Sequence, residues 1–231
     1  MAKSKSYYNV TQCLELAVYI DDMQGFVKSN FGYYDHVNGV AVSDNRNMIF
    51  GYISGAEPMP TVSEEQKLRA KTIQDYFKET LVAKKLMNTM NNFETSVMGA
   101  IGTEQTDGFG LSVIASLPNS YRVAKQRAEL DEWYDKYRDI SEFVGKISER
   151  RRFAVFVRDV KFIAKFGIHL VTCLDTDDNI VKFFYNKEPD IAGLLENKNV
   201  ILTGKVKTHD VSKFSNCKET VLNYIKIEEK G

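Results

Sequence analysis

"LTGKVKTHDVSKFSNCKETVLNYIKIEE" (residues 202–229) decides how the chain is read. Apolar and polar residues alternate from 200 to 211 and again from 219 to 229, and a softer polar segment, about Val211–Lys218, lies between them. Alternation with period two marks strands with one buried face. The stretch therefore reads as two final strands joined by a loop. Upstream, RFAVFVRDVKFIAKFG (152–167) reads as a strand. IHLVTCLDTDDNIVKFFYN (168–186) reads as a hairpin turning at Asp175–Asn179, where Asp and Asn bond their own backbone. EPDIAGLLENKN (188–199) reads as a short helix or helical turn.

Three strands, a short helix and two strands give the order of an OB-fold, a five-stranded Greek-key barrel. Its ligand face is strands 2 and 3, flanked by the loops between strands 1 and 2 and between strands 4 and 5. On this frame Lys161, Phe162, Lys165 and Phe166 surround the first loop. Lys182 and Phe184 share one face of strand 3, with Val181 and Phe183 on the other. Lys205, Lys207 and His209 alternate along strand 4, and Lys213, Phe214 and Lys218 occupy the second loop. Arg150 and Arg152 sit where the barrel begins. Ammonium and guanidinium groups neutralise phosphates, and aromatic rings stack bases with little sequence preference. This set is the expected single-strand groove.

The first 140 residues read differently. Residues 64–98 carry apolar residues at helical spacing, with Ser63 as N-cap and Gln66 completing a capping box. A second helix fits 120–139, after Pro118. Residues 11–29 open with a short helix, and 39–55 read as two short strands around Ser43–Asn47. GAEPMPTV (55–62) reads as a connector and GTEQTDGFG (102–110) as a mobile loop. The expected class is α+β. A mainly helical domain over 1–140, for docking or self-association, precedes the barrel over 141–231.

The chain has 231 residues, with 31 basic and 31 acidic side chains. Residues 141–231 hold 16 basic and 13 acidic, which leaves 15 and 18 for the first 140. That split excludes a histone-like field but is compatible with a local basic groove. No apolar run reaches the roughly 18 residues of a membrane span, and the N-terminus lacks a signal-peptide core. A cytoplasmic protein is expected. Cys13, Cys173 and Cys217 are scattered, with no paired-cysteine spacing, and read as reduced thiols. Asp175, Asp177 and Asp178 are expected to form a turn rather than a metal site. His36, His169 and His209 have no partner at metal-ligand spacing. No nucleophile elbow or phosphate loop is present. The pattern is that of a binding protein, not an enzyme, with no cofactor and no metal.

Ser141, Phe143, Val144 and Gly145, then Gly204, Val206, Lys207 and His209, then Phe214, Lys218, Thr220 and Leu222 resemble a domain common in bacteriophage replication-associated proteins. The resemblance covers about the last 90 residues. It implies an OB-fold binder of single-stranded nucleic acid in an infected bacterial host. The first domain lies outside the resemblance and is expected to dock on replication proteins or to self-associate. The chain departs from the pattern after the final leucine, where Asn223 and Tyr224 replace a basic residue, and it lacks upstream cysteine-pair zinc modules. An RNA-binding regulator and a virion or protein-docking module are the alternatives to single-stranded DNA binding, since fold alone does not fix function.

Overall fold

A computed structural model describes residues 6–37, 39–186 and 195–230. The chain divides into two compact units, 1–126 and 127–231.

In the first unit, β1 (Tyr8–Asn9) leads into α1 (Val10–Gln24), whose N-cap Asn9 accepts from the Gln12 N–H. A small hairpin, β2 (Tyr33–Asp35) and β3 (Val40–Val42), precedes α2 (Asn45–Ser54). The two strands expected in 39–55 are therefore one strand and one helix. Asp44 accounts for the change: its carboxylate accepts from the Asn47 N–H at 2.9 Å and starts the helix, and Gly55 ends it at φ 76°.

The single helix expected over 64–98 is two, α3 (Glu64–Leu86) and α4 (Asn92–Ile101). The asparagine-rich link breaks it. Asn88 adopts φ 52°, and Asn91 forms a capping box with Glu94. The Ser63–Gln66 capping box is present as expected. The loop expected over 102–110 instead holds β4 (Gln105–Thr106), paired with β1, and the start of α5 (Gly108–Tyr137). The Asp107 carboxylate accepts from the N–H groups of Phe109 and Gly110, at 3.1 and 2.9 Å, so α5 begins twelve residues before the expected Ser120 and runs through Pro118. Leu14, Leu16, Ile20, Ile49, Leu81, Ile101, Leu111, Ile114 and Leu117 are fully buried in the core of this unit.

The second unit is a closed five-stranded mixed barrel. Its strands are β5 (Arg150–Ile163), β6 (Ile168–Asp175), β7 (Ile180–Tyr185), β8 (Asn199–Val211) and β9 (Lys218–Lys230), ordered β5-β6-β7-β9-β8 and closed by pairing of β5 with β8. Only β7 and β9 are parallel. All five strands lie where the alternation put them, and so do the β6–β7 turn and the β8–β9 loop; the first strand is shorter than expected, because residues 164–167 form the turn into β6. The short helix expected over 188–199 falls mostly outside the described residues. Phe153, Val155, Val157, Val171, Cys173, Val181, Phe183, Leu202, Val206 and Leu222 fill the interior. A side chain at Gly204 would crowd this core: its Cβ would stand 2.9 Å from Ile225 Cδ1 and 3.2 Å from Leu222 Cδ1, so both would have to shift.

The second unit takes in the last turns of α5, ahead of the Ser141 start expected from the sequence. Tyr137, with Trp133 and Tyr134, packs against Leu174, Ile180 and Cys217 on the outside of the barrel. Residues 141–145 then cross the barrel end. Ser141 Oγ donates to the Lys218 carbonyl at 2.7 Å and accepts from the Ile180 N–H at 2.8 Å. The Val144 N–H donates to Thr220 Oγ1 at 2.9 Å. Ser141→Ala leaves a buried N–H unpaired, so a loss of about 1–3 kcal/mol in urea unfolding is expected. A change below a few tenths of a kcal/mol would mean that this clamp carries no stability.

Candidate nucleic-acid interface

Cross-strand pairing sorts the outward side chains of β5, β6 and β7 into rows. One row is Lys161, Leu170 and Phe184. The next is Asp159, Thr172 and Lys182, extended by Val221 on β9. The third is Phe156, Leu174, Ile180 and Glu219. A bulge at Arg158, between Val157 and Asp159, keeps Asp159 facing out.

The rows differ in what covers them. The third lies against the aromatic cluster of α5. In the second, Lys182 Nζ is 2.7 Å from Glu219 Oε1 and 5.0 Å from the Tyr134 ring centroid, with side-chain exposures of 14% and 7% for the ion pair. The first row is open, with Phe184 49% exposed. Beside it, the β5–β6 loop turns at Gly167 (φ 61°) and presents Phe166, 65% exposed, with Lys165 Nζ 5.4 Å from its ring centroid. Phe162 is exposed too and tilts against His169 at 4.9 Å. Phe162 differs from its expected place: its row runs through His169 to buried Tyr185, so it points to the opposite face of the sheet from Lys161, at the barrel mouth. Lys161, Lys165, Phe166 and Phe184 thus form an open basic and aromatic surface. Lys161 and Lys165 have no ion-pair partner among the described residues.

Other expected site residues go elsewhere. Lys182 is a buried ion-pair partner, not an open phosphate contact. Lys218 holds the Glu142 carboxylate at 2.6 and 2.7 Å, and Arg152 holds Glu228 at 2.8 Å. Lys205, Lys207 and His209 do not share a face. A bulge between Val206 and Thr208 leaves Lys207 unpaired and turns His209 to the side of buried Thr220. There the His209 ring stacks on Phe143 at 4.7 Å and 9°. Ser141, Phe143, Val144, His209, Lys218 and Thr220, six of the twelve residues on which the resemblance was read, therefore fasten the segment before β5 to the barrel. Arg150 pairs with Lys205 at the other end of β5. In the β8–β9 loop Lys213 is exposed and Phe214 is 98% exposed, so Phe214 has no core role.

The alternation did not expose Asp159. Burial, the largest influence, raises its carboxyl pKa above the ordinary range, and Lys161, Arg158 and Lys182 partly offset this. Its only signal was that it is the one acidic residue of the strand, beside Arg158 and after the apolar run Phe153–Val157. No group of three or more His, Cys, Asp or Glu side chains among the described residues is placed to hold a metal. The three thiols are buried and unpaired. Burial pushes Cys13 up to about 12 and raises Cys173 as well, so neither is a thiolate at neutral pH. No helix among the described residues is long and apolar enough to cross a membrane. Searches against family models, curated proteins and solved structures returned no match for this chain.

Proposed function

We propose that the barrel is an OB-fold and that the protein binds single-stranded DNA without sequence specificity, in phage replication or recombination. The strand order, with the third and fifth barrel strands parallel, supports the fold assignment. One observation carries the function: unpaired Lys161 and Lys165 stand with exposed Phe166 and Phe184 on the outer face of β5–β7 and its flanking loop. Lysines take phosphates and rings take bases. Phe214 and Lys213 extend the surface from the second loop. The first unit serves docking to replication proteins or self-association. Anisotropy titration with oligo-dT at 50 and 200 mM salt tests this. Affinity is expected to fall steeply with salt, and oligo-dT to outcompete oligo-U. Dominant competition by oligo-U would make RNA the ligand, and no binding to either would favour a protein-docking module.

Asp159 makes the binding pH-dependent. Its carboxylate stands between Lys161 and Lys182 and repels phosphate while charged. As pH falls through its raised pKa the group becomes neutral, so affinity is expected to rise. Asp159→Asn is expected to bind more tightly at neutral pH, by up to about 1 kcal/mol, and to show no further gain on acidification. Equal acid gains in both proteins would assign the effect to another group.

A further inference from the structure

The outer face at the opposite end of β5, shared with β8 and β9, concentrates three local costs in one row. Arg150 and Lys205 are directly opposite each other on antiparallel strands, and Lys205 is opposite Asn223. Like charges so placed destabilise a sheet, and neither has an acidic partner among the described residues. The Asn223 amide oxygen is buried without a donor. Tyr224 adopts φ 51°, a conformation strained for a bulky residue, at a bulge opposite Gly204. That bulge puts Ile225 into the core and leaves the Tyr224 ring 71% exposed. Lys207, unpaired at its own bulge, is exposed on the same strand as Lys205. The next row, Arg152, Thr203 and Lys226, differs in having an acidic partner: Glu228 takes both Arg152 and Thr203.

Strain and unmet polar groups persist where a ligand relieves them. A phosphate between Arg150 and Lys205 removes the like-charge cost, and the exposed Tyr224 ring offers a stacking face. We propose that Arg150, Lys205 and Tyr224 form a second single-strand contact, separate from the β5–β7 surface and reached only by longer strands. The proposal rests on the single-strand reading above. Binding at both ends of β5 lets one strand follow the barrel, and it gives affinity that grows with strand length beyond what one surface provides.

The test uses the full chain with (dT)20 and (dT)6. Tyr224→Gly removes the ring, and glycine accepts the backbone conformation freely, so the variant is expected to melt no lower than the parent. Its affinity for (dT)20 is expected to fall about five- to hundredfold, the worth of one stacked base, while Tyr224→Phe retains binding. Arg150→Gln with Lys205→Gln is expected to lower the salt slope on (dT)20 by up to about 1.4, from two lost phosphate contacts. The advantage of (dT)20 over (dT)6 should shrink in both. If folded Tyr224→Gly binds (dT)20 within twofold of the parent and the double variant keeps its slope, while Phe184→Ala weakens binding, the second contact is overturned and the first surface stands. A parent chain that binds neither oligonucleotide overturns both.

Discussion

The fragment 127–231 is expected to unfold cooperatively, and the fragment 141–231 is expected to lose that transition or to melt at least about 15 °C lower. The difference is the last turns of α5. Tyr137 is 7% exposed, and with Trp133 and Tyr134 it covers Leu174, Ile180 and Cys217. Removing one large core aromatic costs about 3–5 kcal/mol, and each kcal/mol moves the melting temperature of a domain this size by about 4–8 °C. Deletion also removes the contact between the Arg138 Nε and the Ser215 carbonyl, at 3.2 Å, and bares part of the outer face of β6 and β7. The cover is thus a second small core, on the outside of the barrel. Equal melting temperatures for the two fragments would show that the aromatic cluster is incidental.

Lys182→Ala is expected to destabilise the protein by about 3–5 kcal/mol, because it leaves the Glu219 carboxylate, 7% exposed, without its partner. Replacing both by methionine is expected to cost far less, since a buried pair often gives way to packed apolar groups with little loss. Burial alone lowers the Lys182 pKa, but Tyr134 and Glu219 outweigh it and the net shift is upward. A raised lysine pKa gives stability that is complete below the ordinary lysine range and fades only as pH climbs through the folded value. The cost of Lys182→Ala is therefore expected to be flat from pH 6 to 9 in urea titrations. A cost below 1 kcal/mol with weakened oligonucleotide binding would return Lys182 to the groove.

The fates of Lys182 and Lys205 show what alternation can and cannot reveal. It fixed which face each barrel residue takes on β7, because burial of Val181 and Phe183 forces Lys182 and Phe184 outward. It did not reveal that α5 covers half of that outer face, since the covering aromatics lie some 45 residues upstream. Nor did it reveal the bulges. One extra residue near Lys207 reverses every later side chain on β8, and His209 left the expected lysine face for that reason alone. In the first unit the errors fell at caps. Asp44, Asn91 and Asp107 act through side-chain bonds to nearby N–H groups, which override an apolar pattern too short to separate strand from helix. The open surface of Lys161, Lys165, Phe166 and Phe184 was legible, because each of its members sits on β5, on β7 or in the loop between β5 and β6; Phe162 was misplaced because, one residue after Lys161, it takes the opposite face.

The central claim is that this surface holds the single strand. The measurement that tests it most directly is the affinity for (dT)20, with melting temperature as control, of Phe166→Ala, Phe184→Ala and Phe214→Ala. All three rings are at least 49% exposed. Little stability is therefore expected to be lost, while binding weakens by about 1–3 kcal/mol for each ring that stacks a base, most for Phe166 and Phe184. Unchanged affinity in folded Phe166→Ala and Phe184→Ala would contradict the account, leaving the exposed rings without a nucleic-acid role.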